Sequence, residues 1–237
     1  MAMGNVSFVK AICLLSGGLD SATALAVALM AGYDVKALTI HYGQIHKREI
    51  RSAEQIARHF GVERTEINFT LPWGGSALLD PEIPLPKNRN EEAMIKEIPA
   101  SYVPARNTIF LSLAASFAEA SDARAIFIGA NAIDYSGYPD CRGEYFKAFE
   151  EMIARGTKCG VEGKSIQIMA PLLHMKKSEI IRLGLTLRVP YELTWSCYEG
   201  KGVPCNECDS CVIRQKGFQE AGAIDPLLVQ TKHSFVR

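Results

Sequence analysis

An apolar run at residues 11–15 (AICLL) stops at Ser16-Gly17-Gly18 and passes, through an acid, into a run of small residues at 21–31. The first reads as a buried strand and the second as a helix ended by Gly32. The same alternation continues along the chain. Residues 35–41 read as a second buried strand. Residues 46–61 (HKREIRSAEQIARHFG) place Ile50, Ala53, Ile56, Ala57 and Phe60 on one helical side. Residues 63–69 (ERTEINF) alternate like a strand at a sheet edge. Helix 107–120, strand 125–130, helix 144–156, strand 165–173 and helix 176–184 follow. Strands alternating with helices predict a doubly wound α/β fold, a mostly parallel five-stranded sheet with helices on both faces. No internal repeat interrupts it. At 237 residues, 48% of them hydrophobic, the chain has the size and apolar content for one such domain with a small appendage.

Two segments break the rhythm. Residues 71–104 carry Pro72, Pro81, Pro84, Pro86, Pro99 and Pro104 with Gly74 and Gly75, and a loop of this length inside a domain is expected to act as a lid or lip. Residues 191–237 form a tail rich in Cys, Gly and Pro. The expected organisation is therefore a nucleotide-binding unit at 1–190, with 71–104 inserted, and a metal-binding segment at 191–237 packed on it.

Lys+Arg and Asp+Glu are equal at 26 each, which argues against a nucleic-acid-coating surface. The longest uncharged apolar run near the N-terminus, residues 21–33, is 13 residues long, and a membrane span needs ~20. The first residues lack the basic flank and cleavage site of a signal peptide. The expectation is a cytoplasmic protein with no membrane partner.

In an open parallel sheet, ligands bind beyond the carboxyl ends of the strands. SGGLDS sits at such an end. Its glycines let backbone N–H groups curl around an anion, the helix N-terminus adds partial positive charge, and Ser16 and Ser21 add hydroxyls. Asp20 is out of place beside a bare phosphate and makes sense with Mg²⁺ between them. The motif is neither a Walker loop nor G-x-G-x-x-G. At the other end, Cys197, Cys205, Cys208 and Cys211 have the spacing C-x₇-C-x₂-C-x₂-C. Four thiolates on short turns suit tetrahedral Zn²⁺, with an iron–sulfur cluster as the competitor. With every position a cysteine, no coordination site is left open, so the metal is expected to be structural. Cys13 reads as core, Cys141 lies in a polar loop and Cys159 is unassigned.

That polar loop, GANAIDYSGYPDCR at 129–142, follows a core strand, where active-site groups collect. Asp134 and Asp140 are candidate acceptors for polar N–H groups of a substrate, and Tyr135 and Tyr138 candidate stacking partners for a ring. An ordinary capped turn is the plainer alternative. Arg106 and Asn107 start a helix just after a proline; Arg106 is a candidate to hold a phosphate or carboxylate. Lys177 opposes the dipole of its own helix, so either an anion sits nearby or the side chain is solvated. His41, after its strand, is a candidate for the wall of an adenosine pocket.

SGGLDS resembles the pyrophosphate-binding loop of the ATP pyrophosphatase superfamily, and HYGQ (41–44), YVPARN (102–107), the 129–142 loop, PYELTWSCY (190–198) and the cysteine tail together resemble the 7-cyano-7-deazaguanine synthases. The match runs in family order from about residue 10 to 218. The resemblance implies ligase chemistry: 7-carboxy-7-deazaguanine, ammonia and ATP give the nitrile, for queuosine, through adenylated acid and amide. It implies Asp20, Ser21, Arg106 and Asp134 as catalytic residues. It implies ATP contacts at Leu15, Ser16, Gly17, Gly18, Leu19, Asp20 and Ser21, continuing through Ala22, Thr23, Ala24 and Leu25, with His41. It implies substrate contacts at Asn107, Asn131, Asp134, Tyr135, Tyr138, Asp140 and Arg142. It favours one structural zinc over an iron–sulfur cluster, Mg²⁺ entering with ATP, a homodimer, and small molecules as the only other partners. A tRNA thiolase shares the loop; it needs a sulfur-carrying cysteine, for which Cys141 is the candidate, and a basic surface. A zinc-ribbon module that merely binds ATP is the non-enzymatic rival.

Overall fold

Strand β1 (Lys10–Leu14) is buried along all but its first residue, which is why its sequence is a continuous apolar run. It lies at the centre of a parallel sheet of order β3-β2-β1-β4-β5, where β2 is Asp34–His41, β3 Arg64–Asn68, β4 Ala125–Phe127 and β5 Gln167–Met169. The structure is a computed structural model and describes residues 8–90, 94, 97–133 and 138–233. The five-stranded doubly wound sheet expected from the sequence is present. The last two strands are shorter than their apolar runs, because residues that follow them turn into the loops above the sheet.

Alternating side chains divide the core into two layers. Ile12, Leu14, Leu38, Ile40, Ile126 and Ile128 face α3 (Arg106–Ala120) and α4 (Gly143–Gly156). Ala11, Cys13, Leu15, Val35, Ala37, Ala125 and Phe127 face α1 (Leu19–Met30), α2 (Arg48–Phe60), α6 (Lys177–Thr186) and α7 (Asp209–Ala221). A single helical turn, α5 (Lys158–Val161), follows α4, and α8 (Pro226–His233) ends the described chain. The connection after β1 runs towards β2, whereas the chain later returns to β1's other side as β4. The crevice between the carboxyl ends of β1 and β4 is thus the topological switch point, where open α/β sheets bind ligands.

Two helices in the tail, α7 and α8, were not legible as helices. Residues 71–104 contain no strand among the described residues, and they dock on the tail. Lys87 bridges to Cys208, the Asn88 N–H donates to the Glu207 carbonyl at 2.8 Å, and Arg89 pairs with Asp209 at 3.0 Å. Leu71, Ala77, Leu78 and Val103 are buried beneath. Among the described residues no helix is long and apolar enough to cross a membrane.

Candidate active site at the switch point

The loop after β1 forms as its composition requires. Gly17 has φ +93, a conformation L side chains rarely adopt, and a Cβ there would stand 2.1 Å from the Glu49 carbonyl oxygen. Gly17 therefore lets the loop lie against the start of α2. Gly18 is the N-cap of α1 with no side-chain cap, so the first-turn N–H groups are left for a ligand. The Ser16 and Ser21 hydroxyls hydrogen-bond each other at 3.0 Å, and Ser16 Oγ accepts from the Gly18 N–H at 3.3 Å. Across the crevice, Gly129 follows β4. A Cβ on it would stand 2.7 Å from the Asp20 carbonyl carbon and from the Ser21 nitrogen, so only glycine lets the two strand ends close up here.

A cavity opens over this loop. Leu15, Ser16, Gly18, Leu19, Asp20 and Ser21 line it. Ala22, Thr23, Ala24 and Leu25 turn into the core instead, as the helix rotates away from the crevice. Thr23 Oγ1 donates to the Leu19 carbonyl and shares a 2.9 Å hydrogen bond with the Tyr191 hydroxyl. His41 is not among the lining residues; it ends β2, and its Nε2 is buried without a hydrogen-bond partner among the described residues.

Lys177 is buried, and its ammonium donates to both carboxylate oxygens of Asp20, at 2.8 and 2.7 Å. The alternative of a solvated lysine is thereby removed, and the anion it faces is Asp20. Asn131 holds this arrangement: its amide donates to the carbonyls of Leu172 and Met175, and its Oδ1 accepts from the Ile133 N–H at 2.9 Å. It thus ties the loop after β4 to the loop leading into α6.

The opposite wall comes from α3. Ala105 adopts a left-handed conformation at φ 53 as its N-cap, a strained choice for alanine. Asp140 compensates. Its Oδ2 accepts the Asn107 N–H at 3.0 Å, and the Asn107 amide donates back to the Asp140 carbonyl at 3.0 Å and to Cys141 Sγ at 3.3 Å. Asp140, expected to read the edge of a substrate, is buried and committed to capping α3, and it is not a lining residue. Arg142 caps α4 in backbone terms and is likewise outside the cavity. Asp134 and Tyr135 lie outside the described residues.

Arg106 and Asn107 do line the cavity. Arg106 Nη1 donates to the Tyr42 hydroxyl at 3.0 Å, and its guanidinium lies 5.7 Å from that ring. No carboxylate forms a salt bridge with it among the described residues, so its positive charge faces the cavity with Glu49 on the same lining opposing it only through its field. Tyr138 packs on Tyr102 at 5.6 Å and bonds Ser101 through its hydroxyl at 3.3 Å, presenting a ring to the same space. Burial, with Asp140 adding to it, pushes the Cys141 thiol up to about 12. A thiol so hard to ionise is a poor nucleophile at neutral pH, which weighs against a sulfur-carrying role.

The tail braces the site. The sulfur atoms of Cys197, Cys205, Cys208 and Cys211 all lie within 4.8 Å of one another, with Cys205 and Cys211 3.9 Å apart. A tetrahedral Zn–S₄ site of 2.3 Å bonds has sulfur edges of about 3.8 Å, so the cluster fits zinc. The Cys205 N–H donates to Cys197 Sγ and the Cys208 N–H to Cys205 Sγ, both at 3.3 Å, and Asn206 turns between them at φ 63. Hydrogen bonds from Cys208 and Cys211 pull the Cys197 thiol well below its ordinary pKa, while Cys197 raises theirs. From this cluster Trp195 reaches the loop: its Nε1 donates to the Cys197 carbonyl at 2.8 Å and its backbone N–H to the Gly17 carbonyl at 3.0 Å. Arg214, invisible to sequence reasoning, locks the brace. Its guanidinium donates to both oxygens of Asp225, to Thr194 Oγ1, to Ser196 Oγ and to the Tyr191 carbonyl.

Comparisons with known proteins identify the family. A family model described as "Queuosine biosynthesis protein QueC" matches residues 10–222. The 7-cyano-7-deazaguanine synthase of Thermoplasma acidophilum is 52% identical over 228 residues, covering 96% of this chain and 95% of that protein. The one from Nostoc punctiforme is 51% identical over 221 residues, covering 92% and 99%. Among solved structures, a 4-thiouridine synthetase in an RNA complex with bound ATP superposes with a TM-score of 0.50 at 20% identity, over 90% of this chain and 50% of that one; it shares the fold. From the extent of the family match and the identity to these relatives, the chain belongs to the QueC family of queuosine biosynthesis proteins.

Proposed function

We propose that the chain is an ATP-dependent ligase that converts 7-carboxy-7-deazaguanine and ammonia to 7-cyano-7-deazaguanine. The observation that carries this reading is the pairing, in one cavity, of an uncapped helix N-terminus with the Arg106 guanidinium, which no carboxylate salt-bridges among the described residues, in a chain half identical to named synthases. A carboxylate is a poor electrophile. Arg106 would hold it and Tyr138 would pack against the purine-like ring. An acid oxygen attacks the α-phosphate, and the pyrophosphate departs onto the N–H groups of α1 with Ser16, Ser21 and Lys177. Ammonia then displaces AMP to give the amide. A second adenylation, now of the amide oxygen, allows its loss and leaves the nitrile. Asp20 is an oxygen donor of the type magnesium takes; an ion bound there with ATP would neutralise charge on the pyrophosphate. The same reading makes the protein a cytoplasmic homodimer whose other partners are small molecules, with one structural zinc per chain.

The amide of the deazapurine is the test. It is expected to give nitrile without added ammonia, with about half the ATP consumed from the acid, since one of two equivalent activations has been bypassed. AMP and pyrophosphate should be the products by chromatography. An inert amide, or ADP as product, would end the double-adenylation scheme.

Gly129→Ala tests the geometry of the switch point. Gly129 has an ordinary φ, so only the collision with the backbone of Asp20 and Ser21 is introduced. Displacing the first turn of α1 is expected to weaken ATP binding about 10-fold or more, since misplacement by ~1 Å is costly in a preorganised site. Titration calorimetry with ATP checks it; unchanged affinity would show that the crevice need not close here.

A further inference from the structure

The cavity contains a carboxylate with nothing to hold. Glu49 stands in the first turn of α2, lines the same cavity as the loop and Arg106, and is anchored beside the loop through its backbone at Gly17. Its carboxylate makes no hydrogen bond or salt bridge among the described residues. Glu49 is half-buried, and a carboxylate held in a cavity beside a cation without bonding it asks for an explanation. Asp20, the other carboxylate lining the cavity, is taken by Lys177 on both oxygens. Burial pushes the Glu49 carboxyl up to about 7, against the opposing field of Arg106. The other titratable groups lining the cavity are Tyr42, already bonded to Arg106, with His46, Tyr138, Tyr198, Cys141 and Lys177. Burial holds the His46 imidazole below its ordinary pKa, so it is uncharged at neutral pH and has no charge to offer a cation.

We propose that Glu49 binds the ammonium ion and accepts its proton in the amide-forming step. The inference rests on the functional reading above. Ammonia reaches the enzyme mostly as ammonium, which has no free electron pair and cannot attack. The Glu49 carboxylate takes one proton and becomes a carboxylic acid, releasing ammonia. The nitrogen lone pair forms the C–N bond at the acyl carbon, and the C–O bond to AMP breaks with its electron pair going to the phosphate oxygen. The surplus proton on nitrogen passes to that phosphate, leaving amide and AMP. Arg106 and Glu49 share the cavity, which suits a substrate carboxylate that must be gripped by one and meet a nucleophile delivered by the other. Only the amide-forming step takes up ammonium; the amide-to-nitrile step sheds the two amide N–H protons as the adenylated oxygen leaves, and it has no ammonium to bind.

The experiment uses full-length, zinc-loaded Glu49→Gln and measures the two half-reactions separately: acid plus ammonium to amide, and amide to nitrile. Loss of a positioned general base is worth about 10²–10⁴ in rate, so the ratio of the first rate to the second is expected to fall by about that factor. Hydroxylamine, uncharged at neutral pH, should restore consumption of the acid in the variant, giving the hydroxamate. Glu49→Asp, which keeps the carboxylate, should recover part of the ammonium-dependent rate and covers the case of a poorly folding glutamine variant. Equal losses in both half-reactions, or no gain from hydroxylamine, would overturn the assignment while leaving the synthase reading intact. A wild-type enzyme inert towards the acid would overturn both.

Discussion

Asp20→Asn is expected to lower pyrophosphate release from ATP and the deazapurine acid by about 10²–10³-fold, the usual consequence of removing one preorganised electrostatic partner from an active site. Asp20 fixes Lys177 over the loop through two hydrogen bonds, and Lys177 in turn is a buried cation. Without the carboxylate, that ammonium loses the two hydrogen bonds that orient it over the loop. Breaking a buried pair from one side costs about 3–5 kcal/mol; the Asp20 side chain is 21% exposed to the cavity, so water will recover part of this. Stability and chemistry can be told apart with the double variant. Asp20→Asn combined with Lys177→Met removes both charges and should regain much of the lost melting temperature while staying inactive. Coupling between the two changes in stability, measured as a double-mutant cycle, reports the pair itself. Near-normal turnover by Asp20→Asn at limiting magnesium would show that the loop does not work through this carboxylate.

The centre of the fold was legible because its physics is local. β1 is covered on both faces, so it must be a continuous apolar run, and the glycines after it are forced by the close approach of α2 and by the open helix end. The cysteine spacing was legible for the same reason, since its ligands sit on neighbouring turns. What was hidden depends on partners far apart in the chain. Lys177 meets Asp20 across 157 positions, and nothing in MKKSEI says which anion it will face. Arg214 reads as a surface residue of a cysteine-rich tail, yet it is buried with every donor engaged. Helix α7 escaped notice because its buried positions include Asp209, Cys211, Arg214 and Gly217 alongside Phe218, so no apolar stripe marks it. The cap that Asp140 makes on α3 was not legible, because a carboxylate in a polar loop has the same sequence signature whether it reads a ligand or caps a helix. Glu49 gave no signal at all: an acid in the first turn of a helix is ordinary dipole complementarity, and only the fold shows that this one faces a cavity rather than water.

Removing the metal is expected to disable the protein from the tail inward. Binding of zinc to a structural four-ligand site in small peptides is worth on the order of 10 kcal/mol, comparable to the whole stability of a domain. Here the four sulfurs are largely buried, and the segment 71–104 is clipped to them through Lys87 and Asn88. Chelation, or Cys208→Ala, should therefore expose apolar surface and give poorly soluble protein. The structure adds that the damage does not stop at the tail. Trp195 is fully buried and links the Cys197 carbonyl to the Gly17 carbonyl, so the nucleotide loop is held in part by the metal site. At partial zinc occupancy, ATP binding should fall in proportion to the zinc lost, before the far-ultraviolet signal of the sheet changes. Elemental analysis with calorimetry on graded chelation checks this. ATP affinity that persists in zinc-free, soluble protein would separate the loop from the brace, and a brown protein containing iron and sulfide would replace zinc with a cluster on the same four sulfurs.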